Sequence, residues 1–228
     1  MKKAIKIVFF LIFASAIGIY AYRNSVRTSV VEYKSELDPD DYPKTLDSIK
    51  QIRSQLNGKS TSEIGKSFTN QLTNKIFPYW YGTNWDFNGT SQKPNEGNIA
   101  CGYFVTTTLR DLGVAINRVK LAQCASEEMI KKLVSEDNIY RFSNKSIQEF
   151  EKTLKEKGNG IYVVGLDNHT GFLYLSDDGN YFIHSSGAHP FKVVKEKFIE
   201  STLLIKSKYR VAGKLSSDKK LLTNWTKL

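Results

Sequence analysis

The sequence predicts an α+β domain in which helices pack on one side of an antiparallel sheet, preceded by a membrane-anchor helix. Three observations predict it. Helical-period apolar stripes recur between residues 46 and 112, two apolar strand-like runs flank a turn signal between 161 and 184, and a basic start leads into an uncharged apolar run at 7–22. The 228 residues are 40% hydrophobic and 25% charged, which excludes a largely disordered chain. Gly (15) and Pro (5) are too sparse for a collagen-like or Pro-rich linker protein.

The opening MKKAIK precedes IVFFLIFASAIGIYAY. As a helix, residues 7–22 span about 24 Å, and Ala4 and Ile5 with a snorkelling Lys6 extend the run far enough to cross a hydrocarbon core. The run is long for a signal-peptide core, and cleavage after Ala14-Ser15-Ala16 leaves a greasy new terminus, so an uncleaved anchor is preferred to a removed signal. Lys2, Lys3 and Lys6 keep the N-terminus inside, although Arg23 and Arg27 on the far side weaken that bias. Either way the remaining chain is expected outside the cytoplasm. The boundaries are 1–23 for the anchor or signal peptide, 24–60 for a stalk and spacer helix, and 61–228 for the main domain.

Residues 24–45 carry Asp38-Pro39-Asp40-Asp41 and Pro43, which read as a turn or stalk. Leu46, Ile49, Ile52 and Leu56 predict a helix that stops at Asn57-Gly58. Ser60 to Glu63 resembles a capping start for a helix reaching about Asn74, striped by Ile64, Phe68 and Leu72; both helices fit core packing better than a spacer. The following IFPYWYGTNWDFNG is aromatic and rich in Gly and Asn, and reads as a rigidly lined loop. At Ala100 the period changes: Ala100, Phe104, Thr108 and Leu112 advance in fours, and Gly113 closes the helix. Cys101 therefore sits on the first turn of an amphipathic helix, where unpaired N–H groups and the helix dipole favour a thiolate.

A thiolate nucleophile needs a base. The chain has three histidines, His169, His184 and His189. Residues 161–166 (IYVVGL), 169–175 (HTGFLYL) and 180–184 (NYFIH) read as strands, with the turn signal Ser176-Asp177-Asp178-Gly179 before the third. A two-residue turn at Asp178-Gly179 pairs Leu173 with His184, and a four-residue turn pairs Gly171 with His184. Both registers put His169 and His184 on one face, two or four residues apart along the ladder, and only the shorter offset, about 7 Å, lets two imidazoles meet. The pattern suits a nucleophile, a base and an orienter: Cys101, His169 and His184. His189 precedes Pro190 in a loop and reads as surface.

These blocks resemble the NlpC-type papain-like cell-wall peptidases. IACGYFVTTTLRDLGV is similar to the family's nucleophile helix, HTGFLYLSDDGNYFIHSS to its His-x-Gly strand, turn and terminal Ile-His-Ser, and YWYGTNW to its Tyr-x-x-Gly loop. The resemblance covers residues 76–190. It implies a papain-like fold, Cys101 as nucleophile, His169 as general base, and His184 as the group that orients His169. It also implies that Tyr79, or its rival Tyr81, joins the Cys101 N–H in an oxyanion and substrate site, within a loop that also holds Trp80 and Gly82. The implied activity is hydrolysis of peptide or amide bonds, with peptidoglycan stem peptides as substrate, at the bacterial cell envelope. Ala100 stands where the family usually has Asp, and Gly102 follows the Cys without an intervening Ser, so the chain reads as a distant branch. A thiol acyltransferase or lipid-directed hydrolase on the same fold, and a non-catalytic wall-binding domain, are the competing readings.

Residues 118–160 read as two helices, one starting at Ser126 and one amphipathic through Ile147, Phe150 and Leu154. Residues 193–200 read as a short helix and 203–215 as a long strand. Cys124 reads as structural, and its pairing with Cys101 is left open. With no CxxC and so few histidines, no metal or cofactor is expected. The net charge of +10 suits an anionic membrane or wall polymer, and with no nucleic-acid motif, nucleic acid is not expected as a partner.

Overall fold

A computed structural model describes residues 30–227; the expected anchor at 1–23 lies outside the described residues. Among the described residues no helix is long and apolar enough to cross a membrane. The class is α+β. A seven-stranded antiparallel sheet runs in the order β1-β6-β5-β4-β3-β7-β2. Its strands are β1 (Val30–Glu32), β2 (Ile139–Ser143), β3 (Gly160–Gly165), β4 (Thr170–Ser176), β5 (Gly179–Ser185), β6 (Val193–Lys197) and β7 (Tyr209–Lys214).

The helices are α1 (Tyr42–Ser54), α2 (Thr61–Gln71), α3 (Phe77–Trp80), α4 (Cys101–Asp111), α5 (Arg118–Ala122), α6 (Ser126–Leu133), α7 (Ile147–Glu156), α8 (Thr202–Lys206) and α9 (Lys219–Thr226). The caps that start α2 and α7 are reciprocal: Ser60 with Glu63, and Ser146 with Glu149.

The sheet is covered on both faces, not one. Phe172, Ile183, Val163 and Val211 join the larger core with residues of α1 to α4, α6 and α9, among them Phe68, Phe104 and Trp225. The alternate residues Tyr162, Val164, Leu173, Leu175 and Phe182 face a second core made with Phe150, Leu154, Phe198 and Leu204. Strand alternation divides the two cores, and the apolar stripe of α7 supplies the second.

Several local expectations change. Residues 193–200 form β6 and a short 3-10 turn, because VVKEK alternates and finds β5 as a partner. The expected long strand at 203–215 divides into α8 and β7 at Ser207, whose Oγ donates to the Tyr209 carbonyl. The 118–160 segment holds three helices and β2, which pairs with β7. Residues expected in a stalk pack on the domain: β1 pairs with β6, and Tyr42 and Ile49 are buried.

Candidate functional site

The chain leading into α4 is tied down from several sides. The Ile99 N–H donates to the Asn84 carbonyl at 2.9 Å, and the Ala100 N–H to the Gly89 carbonyl at 2.9 Å. From the sheet, Ser185 Oγ donates to the Ile99 carbonyl at 2.6 Å. Ala100 is the N-cap and has no side chain to satisfy the first-turn N–H groups, so no cap competes for them. The N–H groups of Cys101, Gly102 and Thr170 act on the Cys101 sulfur. Gly102 serves packing: a Cβ there would lie 2.5 Å from the Ala122 carbonyl oxygen, so its absence lets α5 close against α4.

Cys101 and His169 line one open cavity of about 850 Å³. Its walls include Trp85, Phe87, Tyr103, Leu203 and Lys206. Phe87 is 80% exposed, an unusual state for a large apolar ring and one that suits contact with a ligand. Cys101 and His169 also line a smaller cavity of about 280 Å³ together with Cys124. Cys101 and Cys124 are both free thiols, and Cys124 Sγ lies 3.0 Å from Lys132 Nζ.

The hairpin settles the register left open by the sequence. Phe172 pairs with Ile183 and Ser176 with Gly179, around a two-residue turn at Asp177-Asp178. Gly171 therefore lies opposite His184, which gives the shorter offset, and His169 Nε2 stands 2.8 Å from His184 Nδ1 with the rings nearly perpendicular at 88°. Gly171 makes room for this arrangement: a Cβ there would meet the His184 Cβ at 2.7 Å and Phe182 Cε2 at 2.7 Å. Phe182 stacks flat on the His184 ring, with centroids 4.0 Å apart. His184 is fully buried, and behind it His184 Nε2 lies 3.4 Å from Glu196 Oε2 of β6. His169 thus joins an open cavity to a buried pair on the second face of the sheet.

The electrostatics differ from those of an isolated helix terminus. Burial pushes the Cys101 thiol up, and the N–H groups of Thr170, Gly102 and Cys101 only partly offset it. Burial, reinforced by the neighbouring His184, holds His169 well below the ordinary histidine value. Both groups therefore rest neutral near pH 7, as a thiol and an imidazole, rather than as the preformed thiolate that the helix terminus suggests. Burial raises the Glu196 carboxyl, but His184 and the Ser201 hydroxyl outweigh it and hold it below the usual carboxylate value.

The loop residues expected at the oxyanion site belong elsewhere. Residues 72–80 continue helically from α2, so their aromatics turn into the core. Tyr79 Oη pairs with Thr45 Oγ1 at 3.0 Å, Trp80 Nε1 donates to Tyr42 Oη at 3.0 Å, and Tyr81 is buried. Gly82 adopts φ +88° against the backbone of Tyr33 and Lys34. None of these four lines the Cys101 cavity; Trp85 and Phe87, a few residues on, do. His189 is exposed. Residues 193–200 fit a short helix in sequence, which hides Glu196; as a strand, the alternation of VVKEK puts Glu196 on the same face as Val194, so that Val194 pairs with His184 and Glu196 with Phe182. Among the described residues no group of His, Cys, Asp or Glu is arranged to hold a metal ion.

No family model, curated protein or solved structure matches the chain.

Proposed function

We propose that the protein is a cysteine hydrolase of peptide or amide bonds, acting outside the cytoplasm on peptidoglycan stem peptides. The observation that carries this reading is the hydrogen-bonded His169–His184 pair ending in the cavity that also holds Cys101 at a helix start. His184 occupies Nε2 of His169 and leaves Nδ1 as the nitrogen free to serve the thiol. His169 takes the Cys101 proton as the sulfur attacks the scissile carbonyl, the uncapped first-turn N–H groups receive the developing oxyanion, and His169 returns the proton to the leaving amine. Water, activated by the same imidazole, releases the acyl group from sulfur. No metal or cofactor enters this scheme. The family resemblance in the nucleophile helix and the hairpin supplies the substrate class, and the +10 net charge suits an anionic wall polymer. The membrane is the other partner, reached through the N-terminal segment.

A second reading has one observation in its favour. The cavity is walled by Trp85, Phe87, Tyr103 and Leu203, a lining that also accepts an acyl chain, so a lipid-directed hydrolase or acyltransferase fits the same nucleophile.

The purified full chain, incubated with muropeptides, is expected to release fragments cut at a stem-peptide amide bond, read by mass spectrometry. Cys101→Ala is expected to abolish the release. Cleavage of fatty-acyl esters with no action on muropeptides selects the second reading. No turnover of either, with alkylation of Cys101 no faster than for a buried thiol, leaves a binding domain.

A further inference from the structure

Five buried side-chain polar atoms lack a good hydrogen-bond partner among the described residues, and three of them gather around one carboxylate: Glu196 Oε2 itself, His184 Nε2 facing it, and Ser201 Oγ, whose hydroxyl also acts on Glu196. Buried polar groups without a good partner are rare and costly, so such a cluster across β5, β6 and the turn that follows β6 calls for a reason. Glu196 is only 6% exposed, lies on the second face of the sheet and sits against a histidine with no exposure at all. Its Oε2 is 3.4 Å from His184 Nε2, longer than a good hydrogen bond.

We propose that Glu196 is a positioning residue that sets the order of protons through the two histidines and so prepares His169 to accept the Cys101 proton. This rests on the cysteine hydrolase reading. An ionised carboxylate only accepts, so His184 Nε2 must carry the proton that faces it. Neutral His184 then has a bare Nδ1, which can only accept from His169 Nε2 across the 2.8 Å contact. Neutral His169 is thereby protonated at Nε2 and bare at Nδ1, the form needed by a general base. The reverse order, with His184 protonated at Nδ1, would force His169 to carry its proton on Nδ1 and block transfer from sulfur.

The same chain handles the charge of the reaction. When the thiol proton moves to His169 Nδ1, the S–H electron pair stays on sulfur, and the new S–C bond forms with it. The imidazolium left behind donates Nε2–H to His184, and the Glu196 carboxylate balances the positive charge inside the fold. Glu196 of β6 stands against His184, Cys101 of α4 shares the cavity with His169, and no other ion pair engages His184 or Glu196 among the described residues. Glu196 holds its ionised form because His184 and Ser201 outweigh the effect of burial.

The test is ring nitrogen spectroscopy on the full chain labelled with ¹⁵N-histidine, together with the iodoacetamide alkylation rate of Cys101. Wild type is expected to show His169 and His184 each protonated at Nε2 and bare at Nδ1 at pH 7.5. Glu196→Gln presents an amide that can donate as well as accept, and is expected to raise the Nδ1–H form of His169 and to slow alkylation about tenfold. Wild-type ring signals together with a wild-type alkylation rate in Glu196→Gln overturn the proposal. Should that variant fail to fold, the wild-type spectrum decides alone: an Nδ1–H His169 overturns the proposal and an Nε2–H His169 supports it. Neither readout uses a substrate, so failure of the proton order is told apart from failure of the hydrolase reading, which the muropeptide assay tests.

Discussion

His169 and His184 meet edge to face, Nε2 to Nδ1 at 2.8 Å, because the β4–β5 register puts Gly171 rather than Leu173 across from His184. A slip of two residues would separate the rings by about 7 Å more along the strand. Gly171 holds the register's consequence in place, since any Cβ there would strike the His184 Cβ and Phe182. Gly171→Ala is therefore expected to cost about 1–3 kcal/mol from overpacking and to displace the His184 ring. Urea unfolding gives the first effect and the rate of Cys101 alkylation the second. An alanine variant as stable and as reactive as wild type contradicts the arrangement.

The resting thiol is neutral, and its reactivity should show it. Burial raises the Cys101 thiol above the ordinary cysteine value, so the thiolate fraction at pH 7 is small and grows only on the alkaline side. The alkylation rate of Cys101 is expected to climb through pH 8 to 10 without a plateau near neutrality. A plateau between pH 5 and 7 would reveal a thiolate–imidazolium pair and refute the neutral resting state.

Much of this site was legible in the sequence, and the reasons for the rest are physical. The start of α4 followed from apolar residues at steps of four and from Gly113, which are local signals. The shared face of His169 and His184 followed from alternation. The choice of register did not, because two turns fit the same Ser-Asp-Asp-Gly stretch and only cross-strand packing around Gly171 separates them. Glu196 was hidden because a five-residue segment of Val, Lys and Glu fits a short helix as well as an edge-side strand until a partner strand is known. The aromatic loop was misjudged for a similar reason: Tyr79 and Trp80 look like cleft lining in sequence, yet Tyr42 and Thr45, far away in the chain, supply polar partners that let them enter the core.

Acid should destabilise the fold through His169. Its folded-state value lies well below the unfolded value of about 6.5, so below that pH the unfolded chain binds the proton more readily. The contribution is fully present above about pH 6.5 and falls as pH drops from there toward the folded value. Urea midpoints measured from pH 7.5 down to 5 are expected to decline for wild type and to decline less for His169→Gln. Parallel curves for the two proteins would show that the ring is not held neutral by the fold.

Gly102 marks a departure that the fold explains. A side chain directly after Cys101 would drive its Cβ to 2.5 Å from the Ala122 carbonyl oxygen, a backbone atom that cannot swing aside. Gly102→Ser is expected to separate α5 from α4, lower stability by about 1–3 kcal/mol and open the cavity wall near Gln123. Thermal unfolding checks the first effect. A serine variant with unchanged stability would mean that α5 yields without cost.

Phe87 offers the cleanest separation of binding from folding. The ring is 80% exposed and belongs to neither hydrophobic core, so its removal leaves the packed interior intact. It nevertheless lines the cavity that holds Cys101 and His169. Phe87→Ala is expected to leave the unfolding midpoint within about 0.5 kcal/mol of wild type. It is expected to raise KM for muropeptides five- to tenfold, the equivalent of about 1 kcal/mol of lost contact, with kcat little changed. Steady-state kinetics on both proteins decides the matter: an unchanged KM removes Phe87 from the binding surface, and a fall in kcat at constant KM moves its role toward the transition state.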